Sequence, residues 1–366
     1  MVGEVKVKVI AYYLPQFHQI KENDEWWEEG FTEWTNTKKM LPLHEGHNQP
    51  RTPLFDRYYD LMDKDNVKWQ AELAKKYEIY GFCYYHYWFS GKKLLEKPAE
   101  NLLRWKDIDK KILFCWANHS WYKSAKDVNK ELLIEQTYGD ESEWLEHFEY
   151  LKDFFLDERY IKIDNKPVLM LFDSKRVPNL DERLEFYDRK CKEIGFNGVY
   201  IIESINSKWS KSVSEFSQGV VFREPGICFS EETKIHAALN LLKKRFSNKA
   251  RFYRYEKLVK ESLAYTLKRV SDEKFYPKKK IFLGSFPDWD NTPRHGNKGH
   301  YILDSNPEKF ETLLMKQKEI MKEYNLDFIF INAWNEWAEG MHLEPDTKFQ
   351  FEYLEKIYNV FGREFN

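Results

Sequence analysis

Cysteine, long apolar runs and excess charge are all scarce in this chain, and each shortage excludes a class of function. Only four cysteines occur in 366 residues, Cys83, Cys115, Cys191 and Cys228, and no two are close in sequence. Zinc-ligand spacing and a Cys-x-x-Cys redox pair are therefore missing, and the four read as reduced core residues. No apolar stretch approaches the ~20 residues of a membrane-spanning helix. The start, Met1-Val-Gly-Glu-Val-Lys6, lacks the apolar segment of a signal peptide. A cytoplasmic location is expected, or secretion if a leader has been removed. Lys and Arg number 58 against 60 Asp and Glu, a net charge of −2, which gives no support to a nucleic-acid partner. A Gly-rich phosphate loop is also missing. Nothing reads as a repeat, a linker or a low-complexity segment, so residues 1–366 are expected to form a single domain.

Aromatic residues, in contrast, are abundant. They make up 17% of the chain, as 13 Trp, 23 Tyr and 27 Phe. Sugar-binding clefts are one place such a surplus goes. Eight strand-length apolar runs punctuate the sequence, at residues 7–14, 81–89, 111–117, 167–172, 198–204, 219–223, 280–286 and 327–332. They are near-continuous rather than alternating, which suits parallel strands covered on both faces. Amphipathic helical patterns fall between them, at 65–80, 142–155, 180–194, 307–324 and 349–361. Asp63 and Asn306 stand as helix N-caps, with Pro307 suited to a first turn. Eight strands alternating with helices predict an α/β fold, a (β/α)₈ TIM barrel. Two stretches exceed a minimal barrel. Residues 19–59 read as a long insertion after strand 1. Residues 224–279, basic over 243–254, read as a helical insertion after strand 6.

In such a barrel the reacting groups gather at the C-terminal ends of the strands. Here those ends carry Tyr12-Tyr-Leu-Pro-Gln-Phe-His18, Tyr84-Tyr-His-Tyr-Trp-Phe89, Cys115-Trp-Ala-Asn-His-Ser-Trp121, Glu203-Ser204, Arg223-Glu224 and Asp288-Trp-Asp-Asn-Thr-Pro-Arg294. The eighth run opens into Asn332-Ala-Trp-Asn-Glu-Trp-Ala-Glu-Gly340. Core packing does not account for so many polar groups at these positions. Glu336 and Glu339 form the candidate catalytic pair, since one carboxyl protonated and one ionised can break or make a glycosidic bond. The competing reading is a helix first turn capped by Asn332 or Asn335, where glutamates are favoured by the dipole. Candidate substrate contacts are Tyr12, His18, Trp34, His86, Trp88, Asn118, His119, Glu203, Trp289, Asp290, Arg294, Asn335 and Trp337. Trp26, Trp27, Trp116 and Trp121 are further stacking candidates. His18, His86 and His119 suit sugar hydroxyls better than a metal, because no His-Glu-x-x-His type spacing accompanies them. Asp288-Trp-Asp290 matches a bare Asp-x-Asp, which in nucleotide-sugar transferases can hold a divalent cation against a diphosphate. No cofactor or resident metal is expected.

The string Asn335-Glu-Trp-Ala-Glu-Gly340 followed by Glu344-Pro345 resembles the catalytic segment of glycoside hydrolase family 99, the endo-α-mannosidase family. Tyr12-Tyr-Leu-Pro-Gln-Phe-His18, Phe31-Thr-Glu-Trp-Thr-Asn36, Phe82-Cys-Tyr-Tyr-His-Tyr-Trp-Phe89, Leu94-Leu-Glu-Lys-Pro98 and Cys115-Trp-Ala-Asn-His119 resemble the hallmarks of the related WbsX-type glycosyltransferase family. The first resemblance implies a retaining (β/α)₈ enzyme. In it Glu336 would act on a sugar 2-hydroxyl that attacks the anomeric carbon through a 1,2-anhydro intermediate, and Glu339 would be the general acid/base. Ala338 stands where family 99 has His, so α-mannoside specificity is not carried over. The second implies transfer from a nucleotide sugar during surface-polysaccharide assembly, as in lipopolysaccharide O-antigen or capsule. The expected partner is an oligosaccharide or polysaccharide, with a nucleotide sugar as the alternative. A non-catalytic sugar-binding barrel is a third reading, which would tolerate loss of both glutamates.

Overall fold

The computed structural model describes residues 6–123, 131–230 and 249–362. Eight parallel strands close a barrel: β1 (Lys8–Tyr13), β2 (Ile79–Phe89), β3 (Lys111–Trp116), β4 (Lys166–Leu171), β5 (Tyr200–Ile205), β6 (Gly219–Phe222), β7 (Lys280–Ser285) and β8 (Phe328–Ile331). Each pairs with its sequence neighbours, and β1 pairs with both β2 and β8, so no edge of the barrel is left open. All eight coincide with the apolar runs. Residues facing inward pack against one another, as Tyr12 does on Tyr85, with ring centroids 5.8 Å apart and stacked. The outward faces are equally apolar because helices cover them.

The covering helices start where the sequence supplies caps. Asp63 accepts from the Asp65 N–H at 2.9 Å ahead of Lys64–Lys76, and Asn306 accepts from the Lys309 N–H at 2.9 Å ahead of Pro307–Glu323. Two of these helices are shorter than their periodicity. Lys64–Lys76 ends before residue 80 because Glu78 takes a left-handed conformation, φ 58°, and Ile79 already pairs with Val9. The last helix begins at Glu352 rather than 349, since Gln350 has φ 49°, and beyond Ile357 it continues as a wider turn, Tyr358–Gly362.

Both expected insertions are present. The segment between β1 and Lys64–Lys76 carries two short helices, Lys21–Trp26 and Glu33–Lys39, laid across the top of the barrel. After β6 comes a helix, Tyr255–Val270, preceded by Arg251–Arg254, which pairs with His300–Leu303 from the loop after β7. Residues 231–248, including most of the basic stretch, lie outside the described residues. The cysteines are all buried and free. Among the described residues no helix is long and apolar enough to cross a membrane.

Candidate active site

The glutamate pair does not sit on a capped helix. Asn335–Glu336 forms a two-residue strand antiparallel to Met341–His342, and Trp337–Glu339 is a single 3-10 turn between them. Gly340 closes that turn at φ 64°, and a Cβ there would lie 2.8 Å from the Asp290 backbone nitrogen. The Asn335 amide clamps the segment to β1, accepting from the Leu14 N–H at 2.7 Å and donating to the Leu14 carbonyl at 3.0 Å. The Trp337 ring lies beneath, stacked on His342 at 3.8 Å and donating to Glu344 at 2.7 Å.

Held this way, Glu336 and Glu339 line one cleft of about 1030 Å³ at the top of the barrel. Arg294 ties the pair to a third carboxylate. Its Nη1 donates to Glu339 Oε1 at 2.7 Å and its Nη2 to Glu33 Oε1 at 2.8 Å. Glu33 also accepts the Ala338 N–H at 3.1 Å, so the Glu33–Lys39 helix and the 3-10 turn share one buried acid. Burial alone would lower the Arg294 pKa, but Glu33 and then Glu339 raise it further and hold the guanidinium charged. Glu336, 5% exposed, is different. Burial pushes its carboxyl up to about 8, the charge of Glu339 adds to the effect, and Arg294 and Arg223 only partly oppose it. Two neighbouring carboxyls in such unequal surroundings can divide proton-accepting and proton-donating work.

Of the substrate-contact candidates, His119, Trp289 and Arg294 line the cleft, and so do the stacking candidates Trp27 and Trp121. The others are placed elsewhere. His86 and Trp88 point away from the barrel axis. His86 Nε2 lies 2.8 Å from His147 Nε2, and Trp88 stacks on His147 at 4.6 Å. On the same strand the odd-numbered Tyr85 and Tyr87 face the cleft, because side chains alternate along β2. Tyr12 lies under Tyr85, with its hydroxyl on Met170. His18 is folded back onto the Pro15 carbonyl. Trp34 is buried between Phe17, Tyr58, Tyr59 and Trp337 and donates to the Tyr59 carbonyl, so it offers no open face. Trp337 and Trp116 are equally enclosed, at 1% exposure, and Trp26 packs edge-on against Trp121. Asn118 spans the backbone of Asp173. Glu203 is enclosed by Ser212, Val213 and Ser217, with Lys279 3.7 Å away.

The Asp-x-Asp pair serves the loops. Asp288 accepts from Arg51 at 2.6 Å, which also donates to the Gly340 carbonyl. Asp290 accepts from Gln49 at 2.7 Å and Thr292 at 2.6 Å, with His47 Nε2 at 2.9 Å. Burial would raise Asp290, yet these donors and Arg51 hold it below the usual carboxylate range. The two acids anchor the insertion after β1 to the loop after β7, and their oxygens are already committed to side-chain and backbone donors. Ala338 is fully buried and does not line the cleft.

Sequence reasoning passed over Glu33 and Arg223. Glu33 lay within the quoted Phe31–Asn36 motif and Arg223 at the end of β6, but neither has a local pattern that separates it from a surface charge. Only the fold brings both beside Glu336.

The comparisons with known proteins agree with this architecture. Residues 9–357 match the family model described as Glycosyltransferase WbsX. An uncharacterised protein WxcX of Xanthomonas campestris pv. campestris is 31% identical over 360 residues, which is 97% of this chain and 50% of that protein. The chain thus spans about half the length of the curated relatives it matches. Among solved structures, a glycoside hydrolase-like protein superposes with a TM-score of 0.63 at 13% identity, covering 98% of this chain and 94% of that one. The family 99 endo-α-mannosidase from Bacteroides thetaiotaomicron gives 0.55 at 14% identity, covering 96% and 95%. At such identities the likeness is one of fold. With a family model that covers nearly all of the barrel, the chain belongs to the WbsX glycosyltransferase family, a family of carbohydrate-active enzymes.

Proposed function

We propose that the chain acts on a glycosidic bond with retention of configuration, and that Glu336 and Glu339 carry the reaction. The observation that supports this most is their arrangement. Two carboxyls three residues apart enter one aromatic-lined cleft, one raised to about 8 and the other bonded to Arg294. In the reading carried over from family 99, Glu336 takes the proton of the sugar 2-hydroxyl as that oxygen closes on the anomeric carbon. Glu339 protonates the departing oxygen and later deprotonates the acceptor. Once ionised, a Glu336 whose conjugate acid lies near 8 is a stronger proton acceptor than an ordinary carboxylate, so turnover should rise with pH up to about 8. Water as acceptor gives hydrolysis, and a sugar hydroxyl gives transfer. Tyr85, Tyr87, Trp121 and Trp289 would present rings and hydroxyls to the sugar.

The test uses glycosides with poor and activated leaving groups. Glu339→Gln should abolish turnover of the poor leaving groups and spare part of it for glycosyl fluorides, which need no proton. Glu336→Gln should abolish both. Turnover unchanged in the two variants would remove the pair from the reaction.

The family's name favours a second reading, cytoplasmic transfer from a nucleotide sugar into a surface polysaccharide. It predicts that a nucleotide sugar raises the melting temperature. No shift across a broad nucleotide-sugar panel would count against it.

A further inference from the structure

Among the described residues, one cation that lines the cleft, Arg223, forms no ion pair with a carboxylate. Arg223 follows directly on β6 and lines the cleft beside Glu336. Its Nη2 donates to the Tyr85 hydroxyl, and its guanidinium lies over the Phe172 ring, 4.7 Å from the centroid. Its Nε is buried without any hydrogen-bond partner. Among the described residues no carboxylate forms an ion pair with it. The contrast with Arg294, on the same cleft, is direct: that guanidinium bridges two carboxylates. Glu336 acts on Arg223 through its charge but forms no ion pair with it.

His119 also packs against Phe172, its ring 5.2 Å from the Phe172 ring. It too lines the cleft, and its Nδ1 is buried without a partner. Burial, with Arg176 and Arg223, lowers His119 to about 4, so it is neutral and keeps one N–H to donate. A half-buried guanidinium that lacks an anion is costly to maintain, and a planar fork with uncommitted donors matches an oxyanion.

We propose that Arg223, with His119 beside it, forms an anion subsite next to the reacting carboxyls, and that the sugar bound there carries a negatively charged group. This rests on reading the cleft as a sugar site. The shared chemistry is an oxyanion, which is the carboxylate of a uronic acid residue in one case and the phosphate of a sugar nucleotide in the other. The subsite places that group within the field of Arg223, and the ring next to it at Glu336.

Titration calorimetry with D-glucuronate, D-galacturonate, uridine diphosphate and the neutral parents glucose and galactose tests the proposal. The proteins are the unaltered chain, Arg223→Gln and Arg223→Lys. In the unaltered chain at least one anion should bind about tenfold or more tighter than the neutral sugars, as expected for a charge-assisted hydrogen bond. Arg223→Gln should erase that preference while lowering the affinity for glucose or galactose far less than that for the anion, and Arg223→Lys should keep part of it. A preference for the uronates identifies a sugar carboxylate, and one for the diphosphate identifies a nucleotide. If no anion exceeds the neutral sugars, or if the preference survives in Arg223→Gln, the subsite is refuted. An equal fall in anion and neutral-sugar affinity, together with a lower melting temperature, would show a merely structural arginine and would also refute it. Turnover of Glu339→Gln separates the two readings. Anion preference with Glu339-independent turnover would overturn the reaction and spare the subsite. Glu339-dependent turnover without anion preference would do the reverse.

Discussion

Replacing Glu336 by Gln should make the protein more stable, and more so as the pH rises. The Glu336 carboxyl has its ordinary value of 4.5 raised to about 8, because it is buried and faces Glu339. Between those values the unfolded chain has lost the proton that the folded chain retains. The folded state therefore binds more protons, and stability must fall as pH rises through that window. Each unit of difference corresponds to about 1.4 kcal/mol. From about pH 5 to about pH 7.5 the penalty on the unaltered protein grows by about 3 kcal/mol. Gln has nearly the same shape and does not titrate, so Glu336→Gln escapes the penalty. Glu344 is also raised, to about 7, by burial, but it is present in both proteins and largely cancels in the comparison. For a chain of this length the difference amounts to roughly 4 °C in melting temperature. Calorimetric scans of both proteins at the two pH values would measure it. Equal differences at both would show that Glu336 ionises normally and would remove the physical basis for its role as a strong proton acceptor.

Four other outcomes follow from the same geometry. Arg294→Gln leaves Glu33 and Glu339 without their shared cation and should lower turnover about 10²-fold, measured as kcat on whichever glycoside the unaltered protein cleaves. Asn335→Ala removes both bonds to Leu14, leaves its backbone groups unpaired, and should cost about 2–4 kcal/mol in denaturant titrations. Gly340→Ala forces a Cβ against the Asp290 backbone at φ 64° and should cost about 1–3 kcal/mol in the same assay. Chelation by EDTA should leave turnover unchanged, since Asp288 and Asp290 are committed to Arg51, Gln49 and Thr292. Activity lost on chelation and restored by Mn²⁺ would return that pair to the chemistry.

The barrel was legible because its signal is redundant. Parallel strands buried on both faces read as continuous apolar runs, and eight of them recur between helical patterns. The site was legible only in part. The strand-end rule led to Glu336, Glu339, His119, Trp289 and Arg294, which line the cleft. The same rule does not say which face of a strand looks inward. In Tyr84-Tyr-His-Tyr-Trp-Phe89 both faces are aromatic, so the sequence points to His86 and Trp88 where Tyr85 and Tyr87 face the cleft. Tryptophan was misleading for a related reason: Trp34 and Trp337 are the supports under the 3-10 turn, and a sequence does not separate a support from a stacking surface. Glu33 stands about 300 positions from Glu336 and meets it only through the loop that crosses the barrel mouth. That loop is in turn held by Asp288 and Asp290, residues that looked like metal ligands because their donors, His47, Gln49 and Arg51, lie far away in sequence.

The central claim is that a sugar ring is processed between Glu336 and Glu339. A crystal structure of the chain soaked with oligosaccharides, acidic and neutral, tests it most directly. The account predicts a ring in the cleft with its 2-hydroxyl about 2.6–3.2 Å from the Glu336 carboxylate and its glycosidic oxygen within similar reach of Glu339. A sugar bound in the cleft with its 2-hydroxyl away from Glu336, or bound only outside the cleft, would contradict it.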